Sequence, residues 1–203
     1  MKTFKLGFTI LFLSIFTLSF GQKNYSEGYI ITLENDTVHG KIRDRFGMRL
    51  QIAPSKINFI DSNGNTIKYL PKDIKGYSKA GIVDYLTIQD DFGKNFARLL
   101  VDGEIKLLMI KKKGTNMTST PNGQGGFTTG QSTYSYDAYY LFNTRTSIAK
   151  KVIQLDFKNQ MADYFSDYEK LKNMILNKEL RYRDLEIIVE TYNKWKREQT
   201  PSL

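Results

Sequence analysis

Residues 95–111 constrain the fold more than any other segment, because they form two apolar runs joined at Asp102-Gly103. An Asp-Gly pair between apolar runs is a strong signal for a β-hairpin, since a type I′ turn requires positive φ angles at both central residues. A two-residue loop would place Leu100 opposite Ile105 and Arg98 opposite Leu107. Because side chains alternate along a strand, both faces of this hairpin are largely apolar. We therefore expect central strands, with C-terminal helices covering one face.

The rest of the first three quarters of the chain carries further strand and turn signals. Residues 28–42 predict a hairpin with its turn near residues 34–36, and Asn63-Gly64 marks another turn. Pro71 interrupts the pattern, because proline cannot donate a hydrogen bond within a sheet. Further strands are expected at residues 50–52, 56–60, 66–70, 82–88, 139–142 and 147–157.

Residues 114–133 differ in composition from the strands around them. They consist mostly of Gly, Thr, Ser, Asn and Gln, and Met117 and Phe127 are their large apolar side chains. Such a composition does not offset the entropy cost of ordering the chain. This predicts a flexible loop between strands.

The end of the chain changes to helical spacing. Apolar residues recur along one helix face at Leu185, Ile188, Val189, Tyr192 and Trp195. Ser166 and Glu169 have the spacing of a capping box, which indicates a break between two helices. We expect one α+β domain: a β-rich region at 22–157, with an antiparallel, curved or barrel-like sheet, followed by two or three helices at 158–198 that pack on the sheet.

The N-terminus has the layout of a secretory signal peptide over residues 1–21. Lys2 and Lys5 precede an uncharged run at residues 6–20, and cleavage after Gly21 is expected. The chain has no cysteine, which excludes disulfides and a cysteine-linked lipid. We expect export through the general secretory route to the periplasm or beyond.

The chain is basic, with 30 Lys and Arg against 21 Asp and Glu. Loss of Lys2 and Lys5 with the signal peptide lowers the formal net charge from +9 to +7. In an exported protein this charge favours anionic lipids or glycans as partners rather than nucleic acid, with a peripheral and not an integral membrane contact. An envelope protein is the other partner class that we expect.

The candidate ligand-binding residues are basic and aromatic. Arg98 either lies at the rim of the sheet or points into a ligand cavity, and the tyrosines either stack on sugars or are ordinary strand residues. The basic run at residues 111–113 is either a contact for anions or a solvated strand end. The candidates are Arg98, Lys111, Lys112, Lys113, Tyr134, Tyr136, Tyr139 and Tyr140.

Signals for metals, cofactors and nucleophilic catalysis are missing from the sequence. His39 is the single histidine, so no zinc site of the usual ligand types can form. Asp61 begins a segment that resembles a calcium loop, but Thr66 and Lys72 replace the required glycine and glutamate. No phosphate-binding or dinucleotide-binding glycine motif is complete. We expect no cofactor and no catalytic residue.

One enzymatic alternative remains open, because a glycan hydrolase needs two carboxylates and neither histidine nor metal. Asp90, Asp91 and Glu104 are its conceivable members. A second alternative is a small-ligand carrier with a pocket between sheet and helices, lined by tyrosines and Arg98. The preferred hypothesis is a non-enzymatic envelope module that binds a protein or an anionic glycan or lipid.

The order of several motifs resembles an uncharacterised family of secreted proteins, a domain of unknown function, from Bacteroidota-type bacteria. The motifs are GYIITLENDTVHGKI, PKDIKGY, FARLLVDGEIKLL, YYL, YFSDYEKL and IIVETYNKW, which together extend over nearly the whole mature chain. The resemblance implies the same compartment and a single domain, and it brings no catalytic residues. In that lineage, Asp36-Thr37-Val38 resembles the short acceptor pattern for O-glycosylation.

Overall fold

The computed structural model describes residues 25–46, 54–79, 83–91 and 93–199. Within these ranges the chain forms ten strands, all in one antiparallel sheet, and then three α-helices that contact the sheet. The predicted α+β class is therefore confirmed. The predicted signal peptide, residues 1–21, and the strand expected at residues 50–52 lie outside the described residues.

The strands vary in length from four to 18 residues. They are β1 (Ser26–Ile31), β2 (Thr37–Phe46), β3 (Pro54–Ile60), β4 (Thr66–Tyr69), β5 (Gly76–Lys79), β6 (Val83–Asp90), β7 (Gly93–Val101), β8 (Ile105–Asn122), β9 (Gly126–Asn143) and β10 (Ile148–Lys151). The helices are α1 (Phe157–Tyr164), α2 (Glu169–Leu176) and α3 (Leu185–Gln199).

The sheet joins two meanders through one short strand. Its order is β10-β9-β8-β7-β6-β5-β1-β2-β3-β4, so β5 lies between β1 and β6. Sequence reasoning missed β5, because its four residues include a glycine and follow Pro71 closely. Gly76 suits this position, since a Cβ there would lie 2.4 Å from the carbonyl oxygen of Tyr85 on β6.

The sheet is curved and buries apolar side chains on both of its faces. On the helix-facing side, Leu107 and Leu141 pack against Phe165 and Ile188. On the opposite side, which we call the far side, Leu108 packs with residues of β6, β7 and β9. β10 contacts β6, and β3 contacts β7, so the ends of the sheet bend towards its middle. The expected curved sheet with two covered faces is thus observed.

The central hairpin forms over Asp102-Gly103, but its predicted register is wrong. The loop has three residues, 102–104, and a bulge places Val101 opposite Leu107 and Arg98 opposite Met109. The reason is a long-range contact with α3. Asn193 Oδ1 accepts a hydrogen bond from the Ile105 backbone N–H (3.0 Å), and Asn193 Nδ2 donates to the Ile105 carbonyl (2.7 Å). The backbone groups of Ile105 are therefore bonded by α3 and not by β7.

The prediction of a loop at residues 114–133 is wrong, because this segment forms paired strands. Residues 114–122 of β8 pair with residues 126–134 of β9, and the turn between them lies at 123–125. We call this two-stranded segment the β-ribbon. At ~3.4 Å per residue its nine cross-strand pairs extend over about 30 Å. The backbone pairing orders the segment even though its side chains are small and polar.

The helices follow the predicted periodicity. α1 ends at Tyr164 and α2 begins at Glu169, so the predicted break is confirmed. The prediction of a capping box with Ser166 is wrong, since Tyr168 is the N-cap residue of α2 and makes no side-chain capping bond. α3 buries Leu185, Ile188, Val189 and Tyr192 as expected. Among the described helices, none has the length and apolar character needed to span a membrane.

Candidate binding sites

A buried polar network lies on the far side, where β6, β7, β8 and β9 meet. The Asp90 side chain is 1% exposed and accepts hydrogen bonds from Lys112 Nζ (2.8 Å) and Asn95 Nδ2 (3.0 Å). The Tyr140 hydroxyl donates to the same carboxylate at 3.3 Å. A buried carboxylate requires such partners, because an unpaired charge in the interior is very costly. Two predicted ligand residues, Lys112 and Tyr140, therefore stabilise the fold.

The network also changes how Lys112 and Tyr140 titrate. Burial acts against the charged form of Lys112, but its hydrogen bonds to Asp90 and Tyr140 outweigh burial and raise the pKa of Lys112. Burial raises the pKa of Tyr140, and the hydrogen bond with Lys112 opposes that shift only in part. Lys112 thus stays charged and Tyr140 stays neutral at physiological pH.

A cleft of about 830 Å³ opens where β9 and β10 meet the segment that leads to α1. Tyr136, Tyr139 and Tyr182 contribute aromatic rings to its wall, and Tyr139 packs edge-on against Tyr182 with ring centroids 5.6 Å apart. Leu155 is fully exposed at its rim. We call this site the tyrosine cleft. It lies between the sheet and the segments that precede α1 and α3, near the place where the carrier hypothesis expects a pocket.

The tyrosine cleft also contains two carboxylates, Asp91 and Asp137. Asp137 Oδ1 is buried and receives no hydrogen bond, and Lys111 Nζ lies 4.0 Å from it, within ion-pair range but too far for a hydrogen bond. The Asp137 side chain as a whole is 38% exposed, so its other oxygen faces the opening. The cleft can therefore accept a ligand that donates hydrogen bonds.

A second pocket, of about 460 Å³, lies on the far side between the β1–β2 turn, β6 and the β9–β10 turn. Its interior is apolar, with side chains of Ile31, Ile74, Leu86 and Phe142. Its lining includes three lysines, Lys75, Lys94 and Lys106, and no acidic residue. We call it the lysine pocket. An apolar interior with a few charged side chains in its lining is typical of small-molecule sites.

Two of the three lysines are held by neighbouring side chains. Lys75 Nζ donates a hydrogen bond to Asn35 Oδ1 (2.6 Å), and Asn35 itself lines the pocket with a left-handed backbone (φ 76°). Lys106 forms an ion pair with the exposed carboxylate of Asp102. Each of these two ammonium groups thus has a fixed partner in the absence of a ligand.

The other predicted ligand residues do not converge on one site. Arg98 is exposed between its cross-strand neighbours Tyr85 and Met109, and it lines neither the tyrosine cleft nor the lysine pocket. Lys111 and Lys113 are exposed at the base of the β-ribbon, and the nearby Tyr134 ring packs against Tyr136 at 5.9 Å. The lysine pocket was missed because no sequence motif links residues 75, 94 and 106. The curvature of the sheet, and not any local pattern, brings the three residues into one lining.

The carboxylates of the hydrolase hypothesis are separated by the fold. Asp90 precedes β7 and Glu104 follows it, so about nine residues of extended strand, roughly 30 Å, lie between them. Glu104 also forms an ion pair with Arg145 (2.7 Å). Asp90 is bound within the buried network, while Asp91 lines the tyrosine cleft. Asp90 and Glu104 therefore cannot act on the same bond.

Over the described ranges, no group of three or more His, Cys, Asp or Glu side chains could hold a metal ion. No protein-family model matches the chain, and comparisons with curated proteins and with solved structures also give no match. The two cavities and the β-ribbon are thus the features from which a function can be argued.

Proposed function

We propose that the protein is a non-enzymatic binding module of the cell envelope, and that it binds an anionic amphiphile in the lysine pocket. The observation that carries this proposal is the combination of an apolar interior with Lys75, Lys94 and Lys106 in one lining that has no acidic residue. An anionic lipid has the matching chemistry, since its acyl chain fits the interior and its head group fits the lysines.

The interior of the lysine pocket favours a hydrocarbon chain. Ile74 is 1% exposed, and Leu86 and Phe142 pack against the far-side core, so these walls are fixed by the fold. Leu33 at the opening is 47% exposed. Removing apolar surface from water contributes about 25 cal/mol per Å², so a chain that covers these side chains binds favourably.

The charge of the lysine pocket selects the head group. Three ammonium groups attract a carboxylate or phosphate, and the Asp102 carboxylate beside Lys106 is exposed at 68%, so a ligand anion can replace it at little cost. A cationic ligand would meet these lysines without any opposing carboxylate in the lining. The expected export and the net charge of +7 on the mature chain favour the same class of partner.

The test is a calorimetric titration of the mature protein, residues 22–203, with sodium dodecanoate below its micelle concentration. We expect saturable binding at one site. Dodecyltrimethylammonium has the same chain with a cationic head, and it should not bind. The triple variant Lys75→Gln, Lys94→Gln, Lys106→Gln should bind dodecanoate about ten-fold more weakly or worse, since each charge-assisted contact contributes on the order of 1 kcal/mol.

The matched control loses the same number of charges elsewhere on the surface. It is the triple variant Lys68→Gln, Lys111→Gln, Lys113→Gln, whose lysines are all exposed. We expect it to bind dodecanoate as tightly as the wild type. Equal weakening of the two triple variants would mean that net charge alone attracts the amphiphile, and the proposal would then be wrong.

A further inference from the structure

The β-ribbon has an outer edge that the rest of the described chain leaves unpaired. β10 pairs with β9 only from Tyr140 to Asn143, and the Val152 N–H then donates to the Tyr139 carbonyl (2.8 Å). Alternate residues of a strand direct their N–H and C=O groups to the same edge. The N–H and C=O groups that point outward therefore belong to the odd-numbered residues 127, 129, 131, 133 and 135. They point to the side on which β10 pairs with β9 further along the strand.

This edge has none of the features by which proteins usually prevent edge-to-edge pairing. Such features are charged side chains, prolines, bulges and short strands. Residues 126–136 contain no charged residue and no proline, and β9 pairs with β8 without a register shift. A two-stranded ribbon without further strands is only marginally stable in water, so a third strand would stabilise it.

We infer that the β-ribbon is a self-association element, in which β9 of one copy pairs antiparallel with β9 of a second copy. Charge favours a second copy as the partner, because the chain is strongly basic and residues 114–133 are its long uncharged segment. When two copies pair along these uncharged segments, the basic remainder of each copy lies at the opposite end of the paired strands from that of the other copy. Antiparallel pairing of identical strands also satisfies two-fold symmetry, the commonest symmetry of protein dimers.

One register satisfies both the hydrogen bonds and the side chains. Gln131 faces Gln131 of the second copy on the two-fold axis, so that the outward-pointing residues 127, 129, 133 and 135 form the hydrogen-bonded pairs. Thr129 then faces Thr133, and Thr128 faces Tyr134. Pairs of threonines and of aromatic with β-branched residues are among the favourable cross-strand pairs.

The same register brings the ribbon tip of one copy to the tyrosine cleft of the other. The turn at residues 123–125 then comes next to residue 137 of the second copy, just beyond the hydrogen bond between Val152 and Tyr139. There the turn would lie close to Asp137, whose side chain is partly exposed. Phe127 is 70% exposed in the single chain and would be covered by this contact.

The first test is sedimentation velocity of the mature protein at several concentrations, without any amphiphile. We expect a dimer that dissociates on dilution. Gln131→Lys and Gln131→Glu should each weaken the dimer about ten-fold or more, because like charges directly opposite one another are destabilising. An equimolar mixture of the two variants should restore a heterodimer. Met117→Lys is the control, since Met117 lies directly opposite Gln131 on the β8 side of the ribbon.

The second test concerns the tyrosine cleft. Leu155→Asp should weaken the dimer, and the fully exposed position of Leu155 means that the substitution leaves the fold intact. Ile187→Asp changes a 53% exposed apolar residue on α3 and should have no effect on the dimer. A wild type that stays monomeric at ~100 µM, or a dimer that neither Gln131 variant weakens, would overturn the inference.

This inference is independent of the lysine pocket, which contains no residue of the β-ribbon or of the tyrosine cleft. The triple variant Lys75→Gln, Lys94→Gln, Lys106→Gln should therefore dimerise like the wild type. Gln131→Lys should in turn bind dodecanoate like the wild type. Failure of one proposal is thus distinguishable from failure of the other.

Discussion

Lys112 Nζ lies 2.8 Å from Asp90 Oδ2, and this ion pair joins β8 to the end of β6 inside the curved part of the sheet. The Lys112 side chain is 16% exposed and the Asp90 side chain 1%. Because water cannot fully solvate either charge at this degree of burial, each charge is stabilised mainly by the other. The pair also anchors the base of the β-ribbon, since Lys112 lies two residues before Gly114, where the ribbon begins.

The first prediction concerns this ion pair. Lys112→Met should lower the free energy of unfolding by about 3 kcal/mol, because it leaves the buried Asp90 carboxylate without its cation. The double variant Lys112→Met, Asp90→Asn should lose less than the sum of the two single variants. Urea unfolding followed by circular dichroism measures these changes. Lys113→Met, at the exposed neighbouring position, is the control and should change stability by less than about 0.5 kcal/mol.

The second prediction concerns Asn193, which is 2% exposed and bonds both backbone groups of Ile105. Asn193→Ala should cost about 2–3 kcal/mol, because two buried backbone groups lose their partners. Asn193→Asp should be at least as harmful, since a carboxylate cannot donate to the Ile105 carbonyl. Thermal unfolding measures the loss, and Lys194→Ala on the exposed side of α3 is the matched control. A near-neutral Asn193→Ala would mean that α3 does not hold the hairpin loop.

Asn193 also shows why the sequence predicts the hairpin but not its register. Asp102-Gly103 is a local signal, and the hairpin forms where the signal lies. The bulge near Val101 depends on a residue of α3 that lies 88 positions away from Ile105. A contact of this kind leaves no trace in the local pattern of apolar and polar residues. Gly103 is similarly constrained, since a Cβ there would come within 2.4 Å of Asn193 Nδ2.

The candidate sites were predicted less well than the fold, for a related reason. Tyr136 and Tyr139 line the tyrosine cleft, and the tyrosine-rich strand that contains them is visible in the sequence. That they bind a ligand stays a prediction. The lysine pocket depends on sheet order, which places the β1–β2 turn beside β6 and the β9–β10 turn. The composition of residues 114–133 predicts a loop, whereas continuous backbone pairing between β8 and β9 forms the β-ribbon. The composition describes the side chains of this segment and carries no information about which strand its backbone pairs with.

The third prediction concerns stability at alkaline pH. Burial raises the pKa of Tyr164 from its ordinary value of 10.0 to about 12. The neutral hydroxyl is thus favoured in the folded state, and its stabilising effect is complete below pH 10 and is lost as the pH rises through about 12. In Tyr164→Phe, unfolding free energy should therefore fall less steeply across this pH range. Tyr134→Phe, which removes a hydroxyl at an exposed position on the β-ribbon, is the matched control.

The fourth prediction concerns the backbone of the β1–β2 turn at the lysine pocket. Asn35 has a φ angle of 76°, a left-handed conformation that glycine adopts without strain. Asn35→Gly should keep the turn but remove the hydrogen bond that holds Lys75 at the pocket. We expect unchanged thermal stability within about 0.5 kcal/mol and weaker binding of dodecanoate. If dodecanoate binds this variant as tightly as the wild type, the position of Lys75 does not matter for the ligand.

The most direct test of the account is co-sedimentation of the mature protein with vesicles as the salt concentration rises. Vesicles of phosphatidylglycerol and of phosphatidylcholine with the same acyl chains separate the head-group charge from the chain. The account predicts binding to the anionic vesicles only, lost in Lys75→Gln, Lys94→Gln, Lys106→Gln and kept in Lys68→Gln, Lys111→Gln, Lys113→Gln. Equal binding to both kinds of vesicle, or loss of binding only in the second triple variant, would contradict the account. Either result would mean that the protein contacts the vesicle through a surface other than the lysine pocket.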